Sequence, residues 1–499
     1  MKLNFLKFLI FFLSIILFLI IYLTFIGIET EKFNQQIKDK VVQSKSELNI
    51  DLKKIKLTLN PLKLEINAKT IGAVIYYSNR PIELEYIKTK ILLESFFKNK
   101  LVSSNFEIFT KSIFLKDLIK FARSITFRPE LLILETMIEN GHIILDINLN
   151  LDENGKIKKD YEVKGILKNG KIQFLQDLDF KKINFLFKLK EKNYLLQDIK
   201  FSTENIDFNS DILKIFKSDS IHKIEGQVEN TKSKISQNLI RLLNLNIKNL
   251  DLRNTEFSSK SNFKLEIDNN FKFKKFKIES DINLDQILYK NTSLPSEYFP
   301  VLKKNILLNS HQLNLLYEKN NFLVNGKGNF KIGDNSDQIE YFIRKNKDNF
   351  EFETDINIKK TTLKNTKLFK TNFSLSKNLI DLRNHQINIK YLDKNLYLNG
   401  KGDIKIEKEF DQIKYSFLKN KDDIQITSEI DLKNISLKNK KITNEFFPRT
   451  KDLINLKKHK VKIKYNGNSV SFSGNGQIKI NNDYDDIDYF ILRKNNETI

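Results

Sequence analysis

The chain has 499 residues, more than one compact domain usually holds, so roughly three domains or one long repetitive body are expected. The absence of cysteine excludes a disulfide framework, a thiolate zinc site and a cysteine nucleophile, and 40% hydrophobic residues with only six prolines exclude wholesale disorder. A net charge of +23 suggests nucleic acid or an anionic surface, yet only nine of the 85 basic residues are the arginines that read phosphates and base edges, and they are scattered.

The lysine excess therefore reads as a solvated face, and no nucleic-acid partner is expected. Phe8 to Ile28 is uncharged and spans 21 residues, enough for a helix to cross about 30 Å of hydrocarbon. Lys2 and Lys7 precede it and Glu29 and Glu31 follow, so the positive-inside rule keeps residues 1–7 cytoplasmic and exports the rest. The run is too long for a signal-peptide core and no small-residue cleavage site follows Gly27, so it is read as an uncleaved anchor. In a bacterium the exported side is the periplasm. Helices are expected at Glu31–Leu48, Leu115–Ile125 and Lys234–Leu245. The intervening chain alternates apolar and polar residues, as in Ile143-Leu145-Ile147-Leu149, with Asn169-Gly170 marking a turn.

From about residue 246 the chain repeats with a period of 74. Asn-Gly-Lys-Gly ends at Gly328 and Gly402, and Ser-Gly-Asn-Gly ends at Gly476. Asp-x-Ile-x-Tyr recurs at Asp337, Asp411 and Asp485, with its tyrosine at Tyr341, Tyr415 and Tyr489. His311, His385 and His459 share the step, as do Asp281, Asp355 and Glu429. Within each copy the period is two: Leu313 and Leu315, Ile387 and Ile389, Val461 and Ile463 after the histidines, then Phe350 and Phe352, Ile424 and Ile426 downstream. Polar residues fill the alternate positions, which predicts four or five strands per copy with one apolar and one wet face. A less regular connection such as Lys360 to Asn384 is expected between copies. The domain reading is thus 1–7 tail, 8–28 anchor, 29–49 helical linker, 50–245 N-terminal β module and 246–499 tandem repeats, the last copy incomplete.

Chemistry is not legible. No G-x-S-x-G, H-E-x-x-H or Walker loop occurs, and the glycine pairs lie within strands, where they read as bulges or sharp bends rather than a phosphate cradle. Equivalent histidines in successive copies are four or five strands apart, about 20 Å, too far to share a metal. They are read as strand openers at the wet rim. No enzyme activity, metal or cofactor is expected.

The apolar face needs cover. Either the sheet closes on itself, or it curls into an open trough whose lining is occupied by something else. The single anchor, the first β module and the arrays of amphipathic strands, with Asn60-Pro61-Leu62-Lys63-Leu64, Ile82-Glu83-Leu84 leading through Ile91 to Phe97, and Asp146-Ile147-Asn148-Leu149, resemble the AsmA-like superfamily. The resemblance implies an inner-membrane-anchored periplasmic β-groove that helps phospholipids reach the outer membrane. The expected architecture is mainly β, an elongated curved antiparallel sheet with an apolar groove and few short helices. Its lining is expected from Leu313, Leu315, Phe350, Phe352, Ile387, Ile389, Ile424, Ile426, Val461 and Ile463. The competing reading is a periplasmic scaffold whose strand edge pairs with envelope proteins and assists outer-membrane protein assembly.

Overall fold

The computed structural model describes residues 2–498 except 45–46, 78–79, 94–103, 126–128, 153–156, 176–177, 219–220, 243–248, 254, 269–271, 291–304, 333–334, 365–378, 422, 438–453, 480–482 and 495–496. Most described residues lie in strands, and the strand pairs whose register is defined are antiparallel. The mainly β architecture expected from the alternation is therefore present, and of the two arrangements left open the sheet is the open one rather than one closed on itself. The chain divides into two compact units: residues 1–230 with 263–274, and residues 231–262 with 275–499.

The first unit begins with helix α1, Lys2–Phe25, whose segment Phe5–Phe25 is long and apolar enough to cross a membrane. The helix stops three residues before the apolar run does. Gly27 takes φ +77°, a left-handed conformation that ends helices, and its amide bonds back to Tyr22 O at 2.9 Å. Ile28 then enters a short strand, Ile28–Thr30, paired with Ile55–Asn60. Helix α2 covers Asn34–Ser44, shorter than expected because strand Leu48–Asp51 takes its C-terminal end.

Helix α3, Leu115–Ile125, forms where the apolar spacing predicts it. Asp117 in its first turn and Arg123 in its last complement the helix dipole. Its Leu115, Leu118 and Phe121 pack on the unit's core, built around Ala73, Leu84, Ile143 and Leu167. Helix α4, Pro129–Met137, was not expected, and Arg123 Nε ties α3 to it through Glu135 at 2.8 Å. Its Leu-Leu-Ile-Leu run shows no amphipathic spacing to mark it. Of the predicted Lys234–Leu245 helix, α5 covers Gln237–Leu242, and 243–248 lie outside the described residues. So does Phe97 of the early motif, whose strand Arg80–Leu92 is otherwise formed.

The second unit carries the repeats, built from four strands in the first two copies and, among the described residues, from three of the same strands in the third. A histidine strand (Asn305–Glu318, Leu379–Leu392, Ile454–Tyr465) is followed by a glycine strand (Asn321–Ile332, Asn395–Lys405, Ser469–Lys479). A tyrosine strand (Asn335–Lys345, Asp411–Lys419, Tyr484–Lys494) comes next. A long crossing strand (Phe350–Lys364, Ile424–Leu437) then pairs with the next histidine strand. Phe273–Lys290 plays that part ahead of the first copy. The irregular connection is shorter than expected, since strands run on to Lys364 and resume at Leu379; residues 365–378 lie outside the described set.

Candidate functional site

Side chains directly opposite across an antiparallel ladder share a face, and those two apart along a strand share it too. By that rule all ten expected lining residues fall on one face. Leu313 opposes Ile282 and Gly326, and Leu315 opposes Val324. Phe352 opposes Ile343 and Tyr391, with Phe350 two residues behind it against Lys345. Ile387 opposes Ile356 and Gly400, and Ile389 opposes Leu398. Ile426, with Ile424 behind it, opposes Phe417 and Tyr465. Val461 opposes Ile430 and Gly474, and Ile463 opposes Phe472. None of the ten is fully buried, and Phe350 is 46% and Ile426 41% exposed.

The same face is closed at the other end of the strands. Ile306, Ile380 and Ile454 are buried before the histidines, and so are Phe330, Ile404 and Ile478 after the glycines. From the second and third copies Ile380, Ile404, Leu432, Ile435, Ile454 and Ile478 join in one core. Each repeat thus has a buried end and a less buried end on one apolar surface, although Val324 and Thr354 are buried at the latter too.

The histidines form the border. They sit within their strands and are almost wholly buried, not at a wet rim, which corrects the sequence-based reading. A β-bulge explains the difference: Ser310 and His311 together face the single Gly328, Asn384 and His385 face Gly402, and Lys458 and His459 face Gly476. The first residue of each pair has positive φ, 50°, 54° and 46° respectively, which turns the imidazole inward over the glycine. A Cβ on Gly328 would lie 2.4 Å from the His311 ring, and one on Gly326 would lie 2.2 Å from the Tyr341 ring. Gly402 and Gly400 stand in the same relation to His385 and Tyr415. The glycine pairs are therefore seats for two rings from the flanking strands, with the bulge on the partner strand.

His311 Nε2 lies 3.2 Å from Asn329 O, and Nδ1 lies 3.2 Å from the Tyr341 hydroxyl. A carbonyl only accepts, so Nε2 carries the proton and Nδ1 accepts from the tyrosine. His385 repeats this with Asp403 O at 3.1 Å and Tyr415 at 3.3 Å. In the third copy the ring is turned over, and Nε2 meets Tyr489 at 3.3 Å. Burial holds all three imidazoles below their usual range and pushes the Tyr341 hydroxyl up to about 12.

The aspartate of the Asp-x-Ile-x-Tyr motif ends a ladder. The tyrosine and crossing strands last pair at Gln338 and Asn357, and the next amide, Lys359 N–H, donates to Asp337 Oδ1 at 2.8 Å. Lys433 N–H donates to Asp411 at 2.8 Å in the same way. Both carboxyls are buried, which raises their pKa, whereas Asp485, beside which no crossing strand is described, is exposed. Single residues gave no hint of this arrangement. The usable signal was that His, two Gly, Asp and Tyr share one step of 74.

The opposite face is polar and carries clefts of about 700 and 620 Å³ in successive copies. Asp281, Gln312, Asn325 and Glu340 line one; Asp355, Gln386, Asn399 and Lys414 stand at the equivalent places in the next. Glu340 gives way to Lys414 at the equivalent place, while Asp281 and Asp355 keep their charge. Among the described residues no cluster of three or more metal-ligating side chains occurs. The histidine–tyrosine pairs are buried polar contacts between neighbouring strands. Comparison with known proteins yields no matching family model, no similar curated protein and no similar solved structure.

Proposed function

We propose that the chain is a membrane-anchored lipid conduit of the AsmA-like kind, with acyl chains carried along the open end of the apolar face. The observation that carries this reading is that these ten apolar residues share one face, none is fully buried, and their places recur at the 74-residue step. Burial of a CH₂ group gains about 0.8 kcal/mol, so a continuous aliphatic and aromatic track holds an acyl chain without a tight pocket. Such a track selects little among head groups, and weak lipid specificity is expected. In this reading α1 holds the chain in the inner membrane, the N-terminus is cytoplasmic and both units are periplasmic.

The test is a photo-crosslinking amino acid placed in the full-length protein in cells. Ile389 on the apolar face is expected to give phospholipid adducts, and Asn388 on the wet face none. Protein adducts at Ile389, or equal labelling of both positions, would overturn the conduit. Protein adducts confined to the outer strand Tyr484–Lys494 would favour the scaffold reading. With the photo-crosslinking residue moved to Leu398, which opposes Ile389, Ile389→Asp is expected to abolish lipid adducts while far-UV circular dichroism stays unchanged.

A further inference from the structure

The hairpin that follows the anchor ends in an apolar tip. Strands Ile55–Asn60 and Glu65–Ile71 pair antiparallel, and the turn between them carries Leu62, 95% exposed, and Leu64, 62% exposed. The turn is built rather than loose. Lys63 N–H donates to Asn60 Oδ1 at 3.3 Å, Leu64 takes φ 50°, and its carbonyl accepts Leu93 N–H at 2.8 Å. Two leucines are thus held outward on a fixed backbone with an exposed lysine between them. Nothing in the described fold uses them.

Register says where they point. Ile28, the first strand residue after α1, opposes Leu57, and Thr30 opposes Ile55. The first strand runs away from α1, so its antiparallel partner runs back toward it. A Cβ on Gly27 would touch Leu57 O and Thr58, and α1 packs against this partner strand. Leu59 through Leu64 therefore continue past Gly27, alongside the last turn of α1. That turn ends the segment able to cross a membrane.

We propose that the hairpin tip Asn60–Leu64 is a second membrane contact, with Leu62 and Leu64 inserted into the interface of the bilayer that α1 crosses. An apolar pair flanking a lysine suits that depth, where aliphatic side chains enter the acyl boundary and the ammonium reaches the head groups. The contact fixes the first strands against the surface, where a helix alone would leave them free to swing. The proposal rests on α1 being embedded, and the experiment separates the two.

Because the chain has no cysteine, single-cysteine variants of the full-length protein can each carry one environment-sensitive NBD dye. Leu62→Cys, Lys54→Cys and Phe18→Cys would be labelled and reconstituted in phosphatidylethanolamine–phosphatidylglycerol vesicles with or without head-group-proximal spin-labelled lipid. Lys54 precedes the same strand, about 20 Å from the tip. The Leu62 probe is expected to shift to the blue and lose intensity to the spin label, and the Lys54 probe to do neither. A Leu62 probe behaving like Lys54 while Phe18 reports hydrocarbon would overturn the hairpin contact and leave the anchor standing. A Phe18 probe reporting water would overturn both.

Discussion

Ile380 and Ile389 lie on one strand and one face, yet the first is 1% exposed and the second stays half-open. Between them stand Asn384 and His385, the bulge and the buried imidazole. The contrast repeats in the other copies, where Ile306 and Ile454 are buried and Leu313 and Val461 are not. Alternation assigns a side chain to a face but does not say what that face meets. One end behaves as an ordinary core, and the other is left for a ligand in the conduit we propose.

The sharpest way to break this contrast is to truncate both ends. Ile380→Ala is expected to destabilise the protein by about 2–5 kcal/mol, the usual cost of emptying a packed site. Ile426→Ala, on the open end, is expected to stay within about 0.5 kcal/mol. Chemical denaturation of the two variants decides it, and equal losses would mean that the open end is core as well.

The border itself should be intermediate. Asp411→Ala leaves the Lys433 amide without its acceptor and is expected to cost about 1–3 kcal/mol, read from the denaturation midpoint. An unchanged midpoint would show that the carboxylate is replaceable by water.

A smaller and reversible effect should come from pH. The three imidazoles are held below their usual value in the folded state, so between that lowered value and about 6.5 the unfolded chain binds more protons. Stability therefore falls as pH drops below about 6.5, and the melting temperature at pH 5.5 is expected to lie below that at pH 7.5. Asp337 and Asp411, raised by burial, act with the opposite sign. A melting temperature that rises on acidification would assign the dominant titration to them.

Much of the candidate site was legible before any coordinates. Period-two alternation identifies Leu313, Ile387 and Val461 as equivalent, and the 74-residue step aligns them to the residue. The role of the histidines was not. In one dimension His385 looks like a polar residue opening a strand, because strands are read from alternation and a bulge breaks it. Only pairing shows two residues of one strand facing Gly402, and only then does the missing Cβ become a seat for a ring.

The apolar N-terminal segment, the repeat, the strands and the shared face of the ten candidate positions are all readable from the residues in order. Those follow from local periodicity, which each residue carries independently of distant partners. Tertiary contacts alone set which end of that face is buried, where Asp411 finds its donor, and that the strand leading to Leu62 packs against α1. These depend on ladder register, which joins residues far apart in the chain and leaves no mark at either one.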